Sequence, residues 1–140
     1  MSDLSTLLRT YLFIIPLAVL LMSEVAKGFV EATRSGTWHT HLFRPGGMPS
    51  SHSAFVTSLL IVVGRVSGID STAFALAVAI ACLTWYDAMG SRRALGEQAK
   101  VLNRLQHWQH LTERLGHSGK EVLAGIIFGA AVTEIGILLS

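Results

Sequence analysis

Residues 122–139 read VLAGIIFGAAVTEIGILL, an apolar run interrupted only by Thr133 and Glu134. A helix needs about 20 predominantly apolar residues to cross the hydrocarbon core of a bilayer, and this stretch is close to that length. Gly125 and Gly129 fall four apart, so both lie on one face of the helix and open it to close packing. Three further stretches of the same kind lie upstream: 11–22 (YLFIIPLAVLLM), 54–66 (AFVTSLLIVVGRV) and 73–86 (AFALAVAIACLTWY). The first is the core of a helix expected from about Leu4 to about Thr33. Each is shorter than or close to a full span, so flanking polar residues are expected in the headgroup layer.

The whole chain fits that reading. Of its 140 residues 51% are hydrophobic and 14% charged, against about 25% charged in an average soluble domain, and the mean hydropathy is +0.51. These values exclude disorder, collagen and coiled coil and argue against a polar-surfaced soluble domain. A net charge of +2 with no basic run gives no reason to expect a nucleic-acid partner. The lone Cys82 reads as a small buried hydrophobe, with no disulfide framework. The N-terminal stretch lacks a basic n-region and an evident cleavage site, so it is read as a retained span rather than a signal peptide.

Two segments do not read as spans. Residues 34–51 are rich in Gly, His, Thr and Pro and read as a structured loop. Residues 97–115 are amphipathic, with Val101, Leu105, Trp108 and Leu115 opposed by Lys100, Arg104, His107 and Arg114, and predict a helix lying on the membrane surface. The expectation is an all-α, single-domain (1–140) integral membrane bundle of about four transmembrane helices plus one amphipathic interfacial helix. Gly68-Ile69-Asp70 makes a tight connection between the second and third spans. Counting crossings puts nine of the 11 Lys and Arg residues on one face, at 27, 34, 44, 92, 93, 100, 104, 114 and 120. The positive-inside rule makes that face cytoplasmic.

The residues with chemistry to offer gather on that face. Gly46 and Gly47 allow unusual backbone angles before Pro49-Ser50-Ser51-His52. The free N–H groups at the start of the second span favour an anion, phosphate above all. Ser50 and Ser51 add hydroxyls, and His52 can exchange a proton near neutrality; the bland alternative is an ordinary serine cap beside an interfacial histidine. His117 and Glu121 share one side of the last helix's first turn, where a carboxylate can orient an imidazole or merely form a solvated ion pair. Arg92 and Arg93 suit phosphate oxygens or lipid headgroups. Asp87, costly in a span unless paired, is expected first in a salt bridge to Arg92 or Lys27, with metal binding as the other reading. Lys27 either joins a Glu24–Lys27–Glu31 ladder or points at the phosphate, with Arg44 as a further cation. His39 and His41 alternate in the loop without a second ligand pair. Arg65 and Glu134 are placed to pair at the opposite face. Gly125 and Gly129 pack inside the bundle or against a second copy of the chain, with internal packing favoured.

Pro49-Ser50-Ser51-His52 resembles the P-S-G-H signature of the type 2 phosphatidic acid phosphatases, which share a site architecture with vanadium haloperoxidases; Ser51 stands for Gly. Ser91-Arg92 begins like their S-R-x5-H-x3-D signature and His117-x3-Glu121 ends like it, with Glu for Asp. The longer elements G-G-M-P-S-S-H-S-A (46–54), Y-D-A-x-G-x-R-R-x-x-G-x-Q-A-x-x-L-N (86–103) and G-H-x-x-x-E-V (116–122) are similar to a divergent branch of that family, and the likeness extends from Lys27 to Gly129. The resemblance implies a metal-independent, cofactor-free lipid phosphatase. In it His117 would attack phosphorus, Glu121 would orient it and His52 would protonate the leaving alcohol. Lys27, Arg44, Arg92 or Arg93, and the Ser50–Ser51 backbone would hold the phosphate, with Asp87 in support. The implied partners are the bilayer and a lipid phosphomonoester or diphosphate such as phosphatidylglycerophosphate, phosphatidic acid or a prenyl diphosphate, in a membrane of the bacterial inner-membrane or plastid type. The chain departs from the pattern: 23 residues separate Arg93 from His117 rather than five, and Lys27 and Arg44 are 17 apart rather than seven. Two alternatives stand beside this reading: a non-catalytic phospholipid-binding or scaffolding membrane protein, and a metal-dependent hydrolase built on Asp87, His52, His117 and Glu121.

Overall fold

A computed structural model describes residues 13–35 and 46–139, with the side chains of 34 and 35 left aside. Among the described residues five helices follow one another: α1 (Ile14–Ser35), α2 (Ser51–Ser67), α3 (Thr72–Met89), α4 (Ser91–Leu105) and α5 (Gly119–Leu138). The described residues hold no β-strand. Serines set three of the starts. Ser50 caps α2, Ser71 caps α3 by accepting from the Phe74 N–H at 3.1 Å, and Ser118 forms a capping box with Glu121 at α5. Gly68, at φ +85°, turns the chain between α2 and α3, as the sequence suggests.

Central α2 packs against α1, α3 and α5. Small residues make these approaches close. A Cβ on Gly129 would fall 2.7 Å from the Ala54 Cα, and one on Gly125 would fall 2.9 Å from the Ser53 Cβ. The two glycines therefore face α2 inside the protein. Thr133 Oγ1, fully buried, sits 2.6 Å from both Ser58 Oγ and the Gly129 carbonyl, and Ile15, Val19, Ala54 and Val62 form the apolar centre.

Large apolar side chains lie on the outside instead: Leu17, Leu21 and Phe29 on α1, Leu76, Ile80 and Leu83 on α3, Leu123, Ile127 and Ile135 on α5. Two helical stretches, 72–105 (α3 running on into α4) and α5, are long and apolar enough to cross a bilayer, yet only 17% and 22% of their most apolar windows is buried. A soluble core helix would be mostly buried, so this pattern suits an apolar solvent. α2, with 17 residues, is apolar but short, and α1, with 22, carries Glu24, Lys27 and Glu31.

Three sequence expectations need correction. The amphipathic helix is α4, which starts at Ser91 and stops at Leu105 rather than occupying 97–115. Asn103, in its last turn, ties down the chain that returns beyond it: Oδ1 accepts from the Leu111 N–H at 2.9 Å, while Nδ2 donates to the Leu111 carbonyl and to Glu113 at 2.8 Å each. The chain thereby folds back along α4, and Gly96 lets the Leu115 backbone approach. Trp108 and Leu115 are accordingly off the helix, and Trp108 is exposed. Cys82 is exposed on α3 rather than buried. Lys27 pairs with Glu24, but Glu31 pairs with Arg114 instead of completing a ladder. The expected Arg65–Glu134 pair forms, at 2.7 Å.

Candidate functional site

The first turn of α2, the end of α3 and the start of α5 are laced together by backbone bonds. The Ser50 N–H donates to the Glu121 carbonyl at 3.1 Å, and the His117 N–H donates to the Ala88 carbonyl at 2.8 Å. Gly116 permits the second contact: it lies at φ +78°, and a Cβ there would fall 2.9 Å from the Ala88 oxygen. Gly47, at φ +90°, leaves room for the Lys27 stem, which a Cβ would meet at 3.3 Å. Residues as far apart in sequence as Lys27 and Glu121 thus reach one level.

A cavity of about 350 Å³ opens there. Lys27, Ser51, His52, Arg92 and His117 line it, with Glu24, Gly46, Gly116 and the apolar Leu20, Leu21 and Leu115. Arg92 is held by Asp87 at 2.6 Å, the salt bridge ranked first from sequence, and both adjoin a small hollow between His52 and His117. Arg93 does not reach this cavity. It lines a second one, of about 270 Å³, with Glu97, Lys100, Arg114 and Glu121, and His117 borders both. The spacing left open which arginine faces the histidines; the geometry brings Arg92 to both of them.

His117 is 9% exposed, and no hydrogen-bond partner reaches its Nδ1 among the described residues. Glu121 Oε2 is the nearby anion, 3.7 Å from Nδ1, while it accepts from the Ser118 N–H at 2.7 Å. One carboxylate therefore caps α5 and faces the imidazole. Burial pushes the His117 pKa below its ordinary 6.5; Lys27 and His52 push the same way, while Glu121 and the Gly47 backbone oppose them. The ring is therefore mainly neutral at pH 7, the form in which an imidazole carries a lone pair.

Ser50 is not at the cavity. It is fully buried, its Oγ accepts from the Ser53 N–H at 3.4 Å, and its own N–H is taken by Glu121. Ser51 is at the cavity, with its hydroxyl given to Glu24. Arg44, His39 and His41 lie outside the described residues. The spacing of Glu24 suggests only a local ladder with Lys27 and Glu31; the signal for more is a carboxylate within an apolar helix, which is costly unless paired. Among the described residues no three His, Cys, Asp or Glu side chains gather in a metal-binding group.

This all-α fold, with two histidines and cations at one end of an outwardly apolar bundle, agrees with a family comparison: the divergent PAP2 family matches residues 8–132. The chain belongs to that family. It is 34% identical over 151 aligned positions, covering 92% of this chain and 95% of the relative, to YuiD, an uncharacterized membrane protein of Bacillus subtilis (strain 168). No solved structure matches the chain.

Proposed function

We propose that the protein is a lipid phosphate phosphatase whose α1, α2, α3 and α5 cross the membrane, with α4 at the surface and the cavity at the cytoplasmic face. The observation that carries this reading is the meeting of His52, His117, Lys27 and Arg92 around one cavity walled partly by leucines. Cations there suit a phosphate, and the apolar wall suits a lipid chain arriving from the bilayer.

In this reading Glu121 closes its 3.7 Å gap to Nδ1 when substrate binds and draws the proton of the neutral His117 ring to that nitrogen, and the Nε2 lone pair attacks phosphorus. A P–N bond forms as the bond to the lipid oxygen breaks, and His52 gives that oxygen a proton. Water then attacks the phosphohistidine, His52 takes a proton from it, and inorganic phosphate leaves with His117 restored. Arg92, fixed by Asp87, offers N–H donors to the oxygens as their charge grows. No residue in the sequence of steps calls for a metal or cofactor. Family membership supports the phosphatase reading, and the relative's description as a membrane protein supports the bilayer setting.

The test is phosphate release by detergent-solubilised protein from a panel of lipid phosphomonoesters and diphosphates, with EDTA present. Wild type is expected to release phosphate and His117→Ala to release none. Loss of the His52 proton donor is expected to slow release about 100-fold or more. Equally low release by all three proteins contradicts catalysis and favours a phospholipid-binding role; release that EDTA abolishes favours a metal-dependent hydrolase.

A further inference from the structure

A carboxylate lies against the lysine expected to hold phosphate. Glu24, one turn before Lys27 on α1, is 7% exposed; Lys27 is 6% and Ser51 2% exposed. Glu24 Oε1 accepts from Lys27 Nζ at 2.8 Å and from Ser51 Oγ. Two donors from two helices converge on one oxygen, in the wall of the cavity that His52 and His117 share.

Burying an ion away from its counter-charge costs several kcal/mol, so the ammonium of Lys27 needs an anion beside it throughout. Bound phosphate supplies one, and when phosphate is absent Glu24 supplies it. The two anions compete for one cation, and each disfavours the other's approach by like-charge repulsion. Ser51 stands where the P-S-G-H signature has glycine, and its hydroxyl gives Glu24 a second donor, fixing the carboxylate against α2.

We infer that Glu24 is a positioning residue: it holds Lys27 at the cavity wall while the site is empty and competes with phosphate for that ammonium, so that product is released. The inference rests on the phosphatase reading for the identity of the occupant. Glu24 makes and breaks no bond to phosphorus.

The experiment is calorimetric titration of inorganic phosphate into the full chain in detergent, beside steady-state hydrolysis of a lipid phosphomonoester. In Glu24→Gln, equal in size but uncharged, phosphate is expected to bind about tenfold more tightly, with kcat and KM falling together as product lingers. Glu24→Asp keeps the charge but draws it back, and is expected to bind phosphate about threefold more tightly than wild type, with kcat partly restored. Unchanged or weakened phosphate binding in folded Glu24→Gln overturns the inference, because a purely structural carboxylate would lower Tm without sharpening affinity. If Glu24→Gln does not fold, Glu24→Asp decides: affinity equal to or below wild type overturns it. Tighter binding in the variants without hydrolysis by any protein upholds Glu24 and contradicts the phosphatase; hydrolysis with unaltered affinities does the reverse. Failure of wild type and variants alike to bind phosphate contradicts both.

Discussion

His117 concentrates the chemistry of the site. Its ring is buried between two cavities with Glu121 at 3.7 Å, and burial depresses its pKa below 6.5. An unfolded chain would take up a proton near pH 6.5 that the folded chain refuses. The stability linked to His117 is therefore full above pH 6.5 and is lost as pH falls toward the depressed folded value. Activity follows the same sign. The acid limb of kcat/KM, which reports the free protein, is expected to have its midpoint below 6.5. Because Glu121 opposes the depression, Glu121→Gln should move that midpoint lower still, and a pH–rate profile of the two proteins checks both shifts. The same substitution keeps an acceptor for the α5 capping box but removes a negative charge from the first turn of the helix, and is expected to cost about 0.3–1 kcal/mol in a thermal melt.

Much of this was legible in the chain. His52, His117, Lys27 and an arginine of the 92–93 pair stand out by type and position, and all four line one cavity. Three features depended on geometry that spacing does not contain. Arg92 and Arg93 are adjacent and so point apart on α4, and only packing decides which meets the histidines. Ser50 looks like a phosphate donor but spends its groups on the α2 cap and on Glu121. Glu24 reads from spacing as a partner of Lys27 alone, because its contact with Ser51 joins positions 27 apart.

At the scale of elements, small residues decide how closely α5 meets α2. The Gly125–Gly129 face was legible as a packing face, and its partner is Ala54 and Ser53 of α2. Gly129→Ala drives a methyl into the Ala54 backbone and is expected to cost about 1–3 kcal/mol, read as a lower Tm. Ala131→Leu, on the exposed side of the same helix, should leave Tm near wild type. Equal melting of both variants with wild type contradicts this packing. The extent of α4 was not legible, because apolar periodicity runs past the point where Asn103 turns from helix solvation to binding the returning chain. These bonds join positions 8 and 10 apart in sequence and leave the hydrophobic pattern unchanged.

For the whole molecule, low overall charge pointed to a membrane, and the exposed leucines, isoleucines and phenylalanines on α1, α3 and α5 give that arithmetic a surface. Where the few charges sit predicts orientation. Asp70, in the α2–α3 turn, and Lys120, at the start of α5, are both exposed and should lie on opposite faces. In a Cys82→Ser background in intact bacterial cells, Asp70→Cys is expected to react with a membrane-impermeant maleimide, and Lys120→Cys only after permeabilisation. The opposite pattern contradicts the cytoplasmic placement of the cavity, and labelling of both from one side contradicts the crossing of α3. The proposed reaction passes through a phosphohistidine, which can be trapped. The purified protein is mixed with a lipid phosphomonoester carrying a radiolabelled phosphate, quenched in alkali and mapped by peptide. The account predicts an alkali-stable, acid-labile label on the peptide bearing His117 in wild type and none in His117→Ala; turnover without such a label, or a label that persists in His117→Ala, would contradict it.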